Sequence, residues 1–238
     1  MLEKIYNAIT GGSDNHGYHH IIYTDVKLKD IVSDIIEVNT NDNLILYIDD
    51  FGLFENPYID DKISKSLCSD YLNLVIFERA LKQAKEVDIS KIESILDNTY
   101  QASNLDELLE LIKKSKSYIL KMYYKKELAW ENLKDLPVNI MEFDMERLPK
   151  ACNVKRITVV FDNQNDLCND SKVAVNDFIG SRITKYLTCI LSTRKEKWIG
   201  LVTSNHQYVQ EGHDYLVVED EENKVYKKER YYGKQSNN

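Results

Sequence analysis

The chain has 238 residues, 43% hydrophobic and 29% charged, with 3 Pro, 8 Gly and 4 Cys, a composition that excludes collagen-like and linker-like chains and needs no disulfide or metal staple to fold. Lys plus Arg number 31 against 39 Asp plus Glu, a formal net charge of −8, which argues against a protein that coats nucleic acid non-specifically but leaves room for a local basic groove. Cys68, Cys152, Cys168 and Cys189 form no Cys-x-x-Cys clamp, and the N-terminus has no basic region leading into an apolar run. No stretch reaches the roughly 18–20 apolar residues of a membrane helix, so the expectation is a soluble, cytoplasmic protein with reduced thiols and no membrane partner.

Apolar patterning alternates along the chain between strand-like runs and helical periods. Tyr18 to Tyr23 reads as a short strand, and Val26 to Val38 as one helical face with Asp25 as its cap. Asn43 to Asp50 is a continuous apolar run ending in Asp49 and Asp50, the form of a buried parallel strand. Helical spacings follow over Lys62 to Val87. Ser103-Asn104-Leu105-Asp106 has the form of a capping box opening a helix to about Leu133, with Pro137 as the stop. One side of that helix carries Lys113, Lys114, Lys116, Lys121, Lys125 and Lys126. Val138 to Phe143 is a weaker strand candidate and Lys155 to Asp162 a strong one. Asp170 then caps a helix from Ser171 to about Ser192, Lys197 to Ser204 reads as another strand, and Asp214 to Glu219 with Lys224 to Arg230 as a terminal hairpin. Strands separated by helices predict an α/β fold, a mainly parallel sheet of about four to six strands flanked by helices. We read residues 1–238 as one domain, with 55–137 as a helical insertion.

The informative feature is polar termination of apolar strands: Ile48-Asp49-Asp50, Phe161-Asp162 and Thr203-Ser204-Asn205. In open parallel sheets, ligands bind beyond the carboxyl ends of the strands. Were these ends neighbours, Asp49, Asp50 and Asp162 would meet there, joined by Asp177 from the following helix, and carboxylates so gathered suit Mg²⁺ or Mn²⁺. Such metals activate water and clamp the oxygens of an in-line phosphoryl displacement. Gly12 and Gly17 have the spacing of a phosphate-binding loop, with Leu44 to Asp50 as its acidic strand, but Tyr18-His19 stand where that loop needs Lys then Ser or Thr. His16, His19 and His20 cluster, and a zinc site there would need His206 or His213 as further ligands. Tyr47-Ile48-Asp49-Asp50 matches the Tyr-x-Asp-Asp of reverse transcriptases, which too little preceding chain excludes. Tyr123, Tyr124, Tyr231 and Tyr232 lie near lysines, a pairing suited to stacking on single-stranded bases.

The order of Leu44 to Asp50, Ile157 to Asp162, Asn176 to Ile179 and Leu201 to Asn205 resembles the PIN/NYN-like nuclease superfamily. The resemblance implies a metal-dependent nuclease acting on RNA or single-stranded DNA. Asp49 or Asp50 would hold Mg²⁺ or Mn²⁺ together with Asp177. The family often has Ser-x-Asp after its third strand, where this chain has Ser204-Asn205-His206. We therefore assign Asp49, Asp50, Asp162 and Asp177 as catalytic metal ligands and Ser204 and Asn205 as substrate contacts. The alternative is a non-catalytic interaction module with a protein partner in an intracellular complex, built on a decayed nucleotide-binding scaffold of P-loop type. The missing Lys after Gly17 and the Asn at 205 motivate it.

Overall fold

The computed structural model describes residues 5, 18–31, 43–48, 61–92, 101–125, 136–140, 142–162, 164–180, 186–198 and 201–219. Five strands, β1 (His19–Tyr23), β2 (Asn43–Ile48), β3 (Arg156–Phe161), β4 (Leu187–Thr193) and β5 (Tyr215–Glu219), form one sheet in the order β2-β3-β4-β1-β5. Every pairing is parallel. The helices are α1 (Leu28–Ile31), α2 (Asp61–Gln83), α3 (Leu105–Leu120), α4 (Glu142–Ala151) and α5 (Asn169–Gly180). This is the α/β fold with a parallel sheet that the sequence predicts. Among the described residues no helix is long and apolar enough to cross a membrane.

The central strands are covered on both faces, which is why β3 and β4 are buried nearly end to end and read as unbroken apolar runs. Because side chains alternate along a strand, the two faces separate cleanly. On one face Leu46, Ile48, Phe161, Leu191 and Ile21 join α2, α3, α4 and α5 in a large continuous cluster. On the other, Ile22, Ile45, Val160, Ile190 and Val218 meet Leu28 of α1 in a small one.

Local signals explain several ends. Asn104 caps α3 by accepting the Glu107 amide at 3.0 Å, and Glu107 reaches back to the Ser103 amide at 2.7 Å, one residue later than the Ser103–Asp106 box that the sequence suggests. These contacts answer amides that lack helical partners in the first turn. A π-turn, Lys121–Lys125, follows α3 and points Tyr123 inward. Its hydroxyl lies 3.3 Å from Ser64 of α2 and 3.4 Å from the buried carboxylate of Asp170 on α5.

Three element assignments change. The segment read as one helix to Ser192 is α5, ending at Gly180, followed by β4. An unbroken apolar stretch such as Leu187 to Leu191 fits a buried strand or a buried helix equally by periodicity. The expected strand from Lys197 to Ser204 is instead a crossover lying along α5. There the Trp198 indole donates to Asn176 at 3.2 Å, and the Asn176 amide donates to the Val202 carbonyl at 3.0 Å. The weak strand candidate at 138–143 gives way to α4, whose first residue is Glu142. The second arm of the expected hairpin lies outside the described residues, and its first arm, β5, pairs in parallel with β1.

Candidate functional site

Strand order locates the site. β1 and β4 are neighbours, but the chain leaves β1 toward the β2 edge and leaves β4 toward β5. The two connections pass to opposite faces of the sheet, that of β1 through Leu28 beside Ile22 and that of β4 through Trp198 and Val209 on the other side, and such a switch point is where open α/β sheets bind ligands. Four segments converge at this one: the turn from Tyr23 into α1, the tip of β3 with Asp162, the residues after it, and the end of β4.

The groups at this point bind one another. The Asp162 carboxylate, only 2% exposed, accepts the Leu28 amide at 2.8 Å on Oδ1 and the Lys29 amide at 3.0 Å on Oδ2. The Ser192 hydroxyl donates to the same Oδ1 at 2.6 Å. Helix starts carry unpaired amides and a partial positive charge, so a carboxylate is a favourable occupant. The cap of α1 is thus Asp162, 134 residues away, and not Asp25, which pairs with Arg194 at 3.1 Å on the rim. Behind Asp162, the Gln164 side-chain amide donates to the Ile48 carbonyl at 3.0 Å and to the Asp162 carbonyl at 2.7 Å. Asn165 Oδ1 accepts the Thr193 hydroxyl at 3.2 Å and the Arg194 amide at 2.8 Å. The Thr24 amide donates to the Thr193 carbonyl at 3.0 Å, closing the β1 side.

Asp177 belongs to a different place. α5 connects two parallel strands, so it runs back from the carboxyl end of the sheet, and Asp177 lies about 12 Å along the axis from Asn169. There it accepts the Ser69 hydroxyl at 2.9 Å and the Ser204 amide at 2.7 Å. The structure therefore brings Asp177 and Ser204 together, through the Ser204 backbone, in a contact that ties the crossover to α2 and α5. Asn205 is exposed in the adjoining turn, which the Gln207 amide closes on Thr203 Oγ1 at 3.1 Å. Asp49 and Asp50 lie outside the described residues, as do Gly11 to Gly17 and His16. Among the described residues no group of three or more His, Cys, Asp or Glu side chains is placed to hold a metal ion.

The two described histidines of the sequence cluster sit in β1, pointing to opposite faces. His19 Nδ1 accepts the Cys189 amide at 2.9 Å, and its ring packs 6.1 Å from Phe178. Burial first, then the neighbouring His20, pushes its pKa down to about 3. Burial, with Arg156 adding to it, takes His20 down to about 4. Both are core imidazoles. Cys152 is likewise buried, and burial pushes its thiol up to about 12, far from a nucleophile's range.

Sequence reasoning missed Leu28, Lys29, Gln164, Asn165, Ser192 and Thr193. The strand-end rule that found Asp162 also finds Ser192 and Thr193 once Leu187 to Thr193 is recognised as a strand. The two amides carry no side-chain signal at all. Compared with known proteins, the chain matches no family model and no curated sequence.

Proposed function

We propose that this protein is a non-catalytic interaction module whose α/β scaffold is of the nucleotide-binding kind, with its phosphate position filled from within. A P-loop scaffold uses strand, loop and helix start to present backbone amides to phosphate, with an acidic residue on another strand holding Mg²⁺. The loop read from Gly12 to Gly17 precedes β1 and so does not fit that order; instead β1, the turn after it and the start of α1 correspond, with Asp162 in place of Asp49 or Asp50 as the acidic residue. The observation that carries the reading is that the Leu28 and Lys29 amides bind Asp162 itself. With the amides and the carboxylate spent on each other, neither is left for phosphate or metal.

Calorimetry on the full chain with ATP and Mg²⁺, and separately with Mn²⁺, should give no binding heat. Micromolar ATP affinity would overturn the reading. Asp162→Ala should cost about 3 kcal/mol of stability in urea unfolding, since it strands two amides and a buried hydroxyl. Loss of less than about 0.5 kcal/mol would mean the contact is not the internal plug described.

A second reading, the metal-dependent nuclease, draws on Asp162 standing at the carboxyl edge of the sheet, the edge toward which β2 also runs before Asp49 and Asp50. It predicts Mn²⁺-dependent cleavage of RNA or single-stranded DNA, abolished in Asp50→Asn. Such cleavage would replace the interaction-module reading.

A further inference from the structure

Between Leu111 and Lys125 the sequence holds five lysines and no acidic residue, in a chain whose net charge is −8. The structure sorts these lysines. Lys116 is half-buried and bound to Glu78 at 2.6 Å, and Lys113 pairs with Glu110 at 3.4 Å. Lys114, Lys121 and Lys125 are exposed. Two tyrosines interleave with them on the surface, Tyr118 at 37% and Tyr124 at 41% exposure. Few large apolar side chains among the described residues are as exposed, and these two share one short segment. Lys121 Nζ stands 5.9 Å from the centre of the Tyr118 ring.

The π-turn contributes to this arrangement. It sends Tyr123 into the buried contact with Ser64 and Asp170 while the adjacent Tyr124 stays outside. π-helical segments such as Lys121–Lys125 are rare and occur often at functional positions. Helix polarity alone does not account for the lysines: the macrodipole is felt within the last turn, and Lys114 lies well upstream of it.

We propose that the exposed Lys114–Lys125 face of α3 and its π-turn binds single-stranded nucleic acid, with lysines on phosphates and Tyr118 and Tyr124 stacked on bases. Charge complementarity selects a polyanion, and the interleaved rings select one with flat apolar faces over an acidic protein surface. The stretch is about 16 Å long, enough for about five nucleotides at the stacked spacing of a strand. This adds a partner to the interaction-module reading and rests on it.

Fluorescence anisotropy of the full chain with labelled oligo(dT) tests it. Binding should weaken about 20-fold between about 50 and 200 mM salt, the dependence for three neutralised phosphates on a single strand. Lys114→Glu with Lys121→Glu should weaken it at least about 10-fold, and Tyr118→Ala with Tyr124→Ala at least about 5-fold. Lys114 and Lys121 are exposed, so the lysine variant should melt as the parent does; Tyr124 packs edge-on against Tyr123 at 5.0 Å, so the tyrosine variant is compared well below its own melting temperature. No binding at about 50 mM salt, binding indifferent to both double variants, or displacement by polyglutamate as effective as by oligo(dT) would overturn the proposal. The last outcome would point to an acidic protein instead. The ATP and Mn²⁺ calorimetry does not involve α3, so failure here leaves the interaction-module reading to be judged separately.

Discussion

On the face of the sheet that carries α2, α3 and α5, strand side chains such as Leu46, Phe161 and Leu191 merge with the helices into one apolar mass. On the opposite face, Ile45, Val160 and Ile190 form a much smaller cluster. Toward the amino ends of the strands that face turns polar. The Thr158 hydroxyl donates to Asn43 at 3.2 Å, and Arg156 Nε donates to the Thr188 hydroxyl at 3.1 Å. A buried sheet tolerates such a row because the hydroxyls and amides on neighbouring strands satisfy one another. His20 is the exception: among the described residues neither of its ring nitrogens has a hydrogen-bond partner. Adjacent positions in β1 thus meet different conditions, His19 an apolar layer with one backbone donor and His20 a polar row that leaves it unanswered.

The sharpest test of this contrast is cavity cost. Leu191→Ala on the helical face should lose about 4 kcal/mol in urea unfolding, and Ile190→Ala on the other face about 2–3 kcal/mol. Equal losses would show that the smaller cluster is as tightly packed as the larger. Acid comes next. Both imidazoles have folded pKa values below the ordinary 6.5, so the unfolded chain binds more protons below that pH. Their contribution is intact above about 6.5 and is lost as pH falls toward 3–4. Between pH 7 and pH 5 the loss should be about 2 kcal/mol for each imidazole, and His20→Leu should remove about half of that slope. A slope unchanged by the substitution would mean His20 does not stay neutral in the fold. The smallest effect has the opposite sign. Burial pushes the Asp70 carboxyl on α2 up to about 6, so stability falls as pH rises from the ordinary carboxylate range to that value and stays reduced above it. Asp70→Asn should stabilise the protein by about 1 kcal/mol at neutral pH, discounted for solvent contact, and have no effect at pH 3.

How much was legible depends on the range of the interaction. β2 and β3 are readable because a parallel strand buried on both faces leaves an unbroken apolar signature. The α3 start is readable because its cap is local, from Asn104 to Glu107. The boundary between α5 and β4 was not, since apolar residues on both sides of it fit helix and strand alike. The candidate site suffered most. Asp162 was found by its place at a strand end, but its partners are backbone amides of Leu28 and Lys29 and the hydroxyl of a strand read as helix. Asp177 looked like a companion because the resemblance placed it there, although eight residues of helix from Asn169 carry it about 12 Å back from the strand tip.

The position of β1 also bears on how the protein is made. It leaves the ribosome ahead of both its neighbours in the sheet, β4 and β5, and the His19 ring waits for the amide of Cys189, 170 residues later. At ordinary elongation rates that interval is on the order of ten to thirty seconds. Throughout it the nascent segment has both edges bare. Truncated chains lacking β4 and β5 should therefore be strong clients for chaperones, holding a strand with nothing to lie beside.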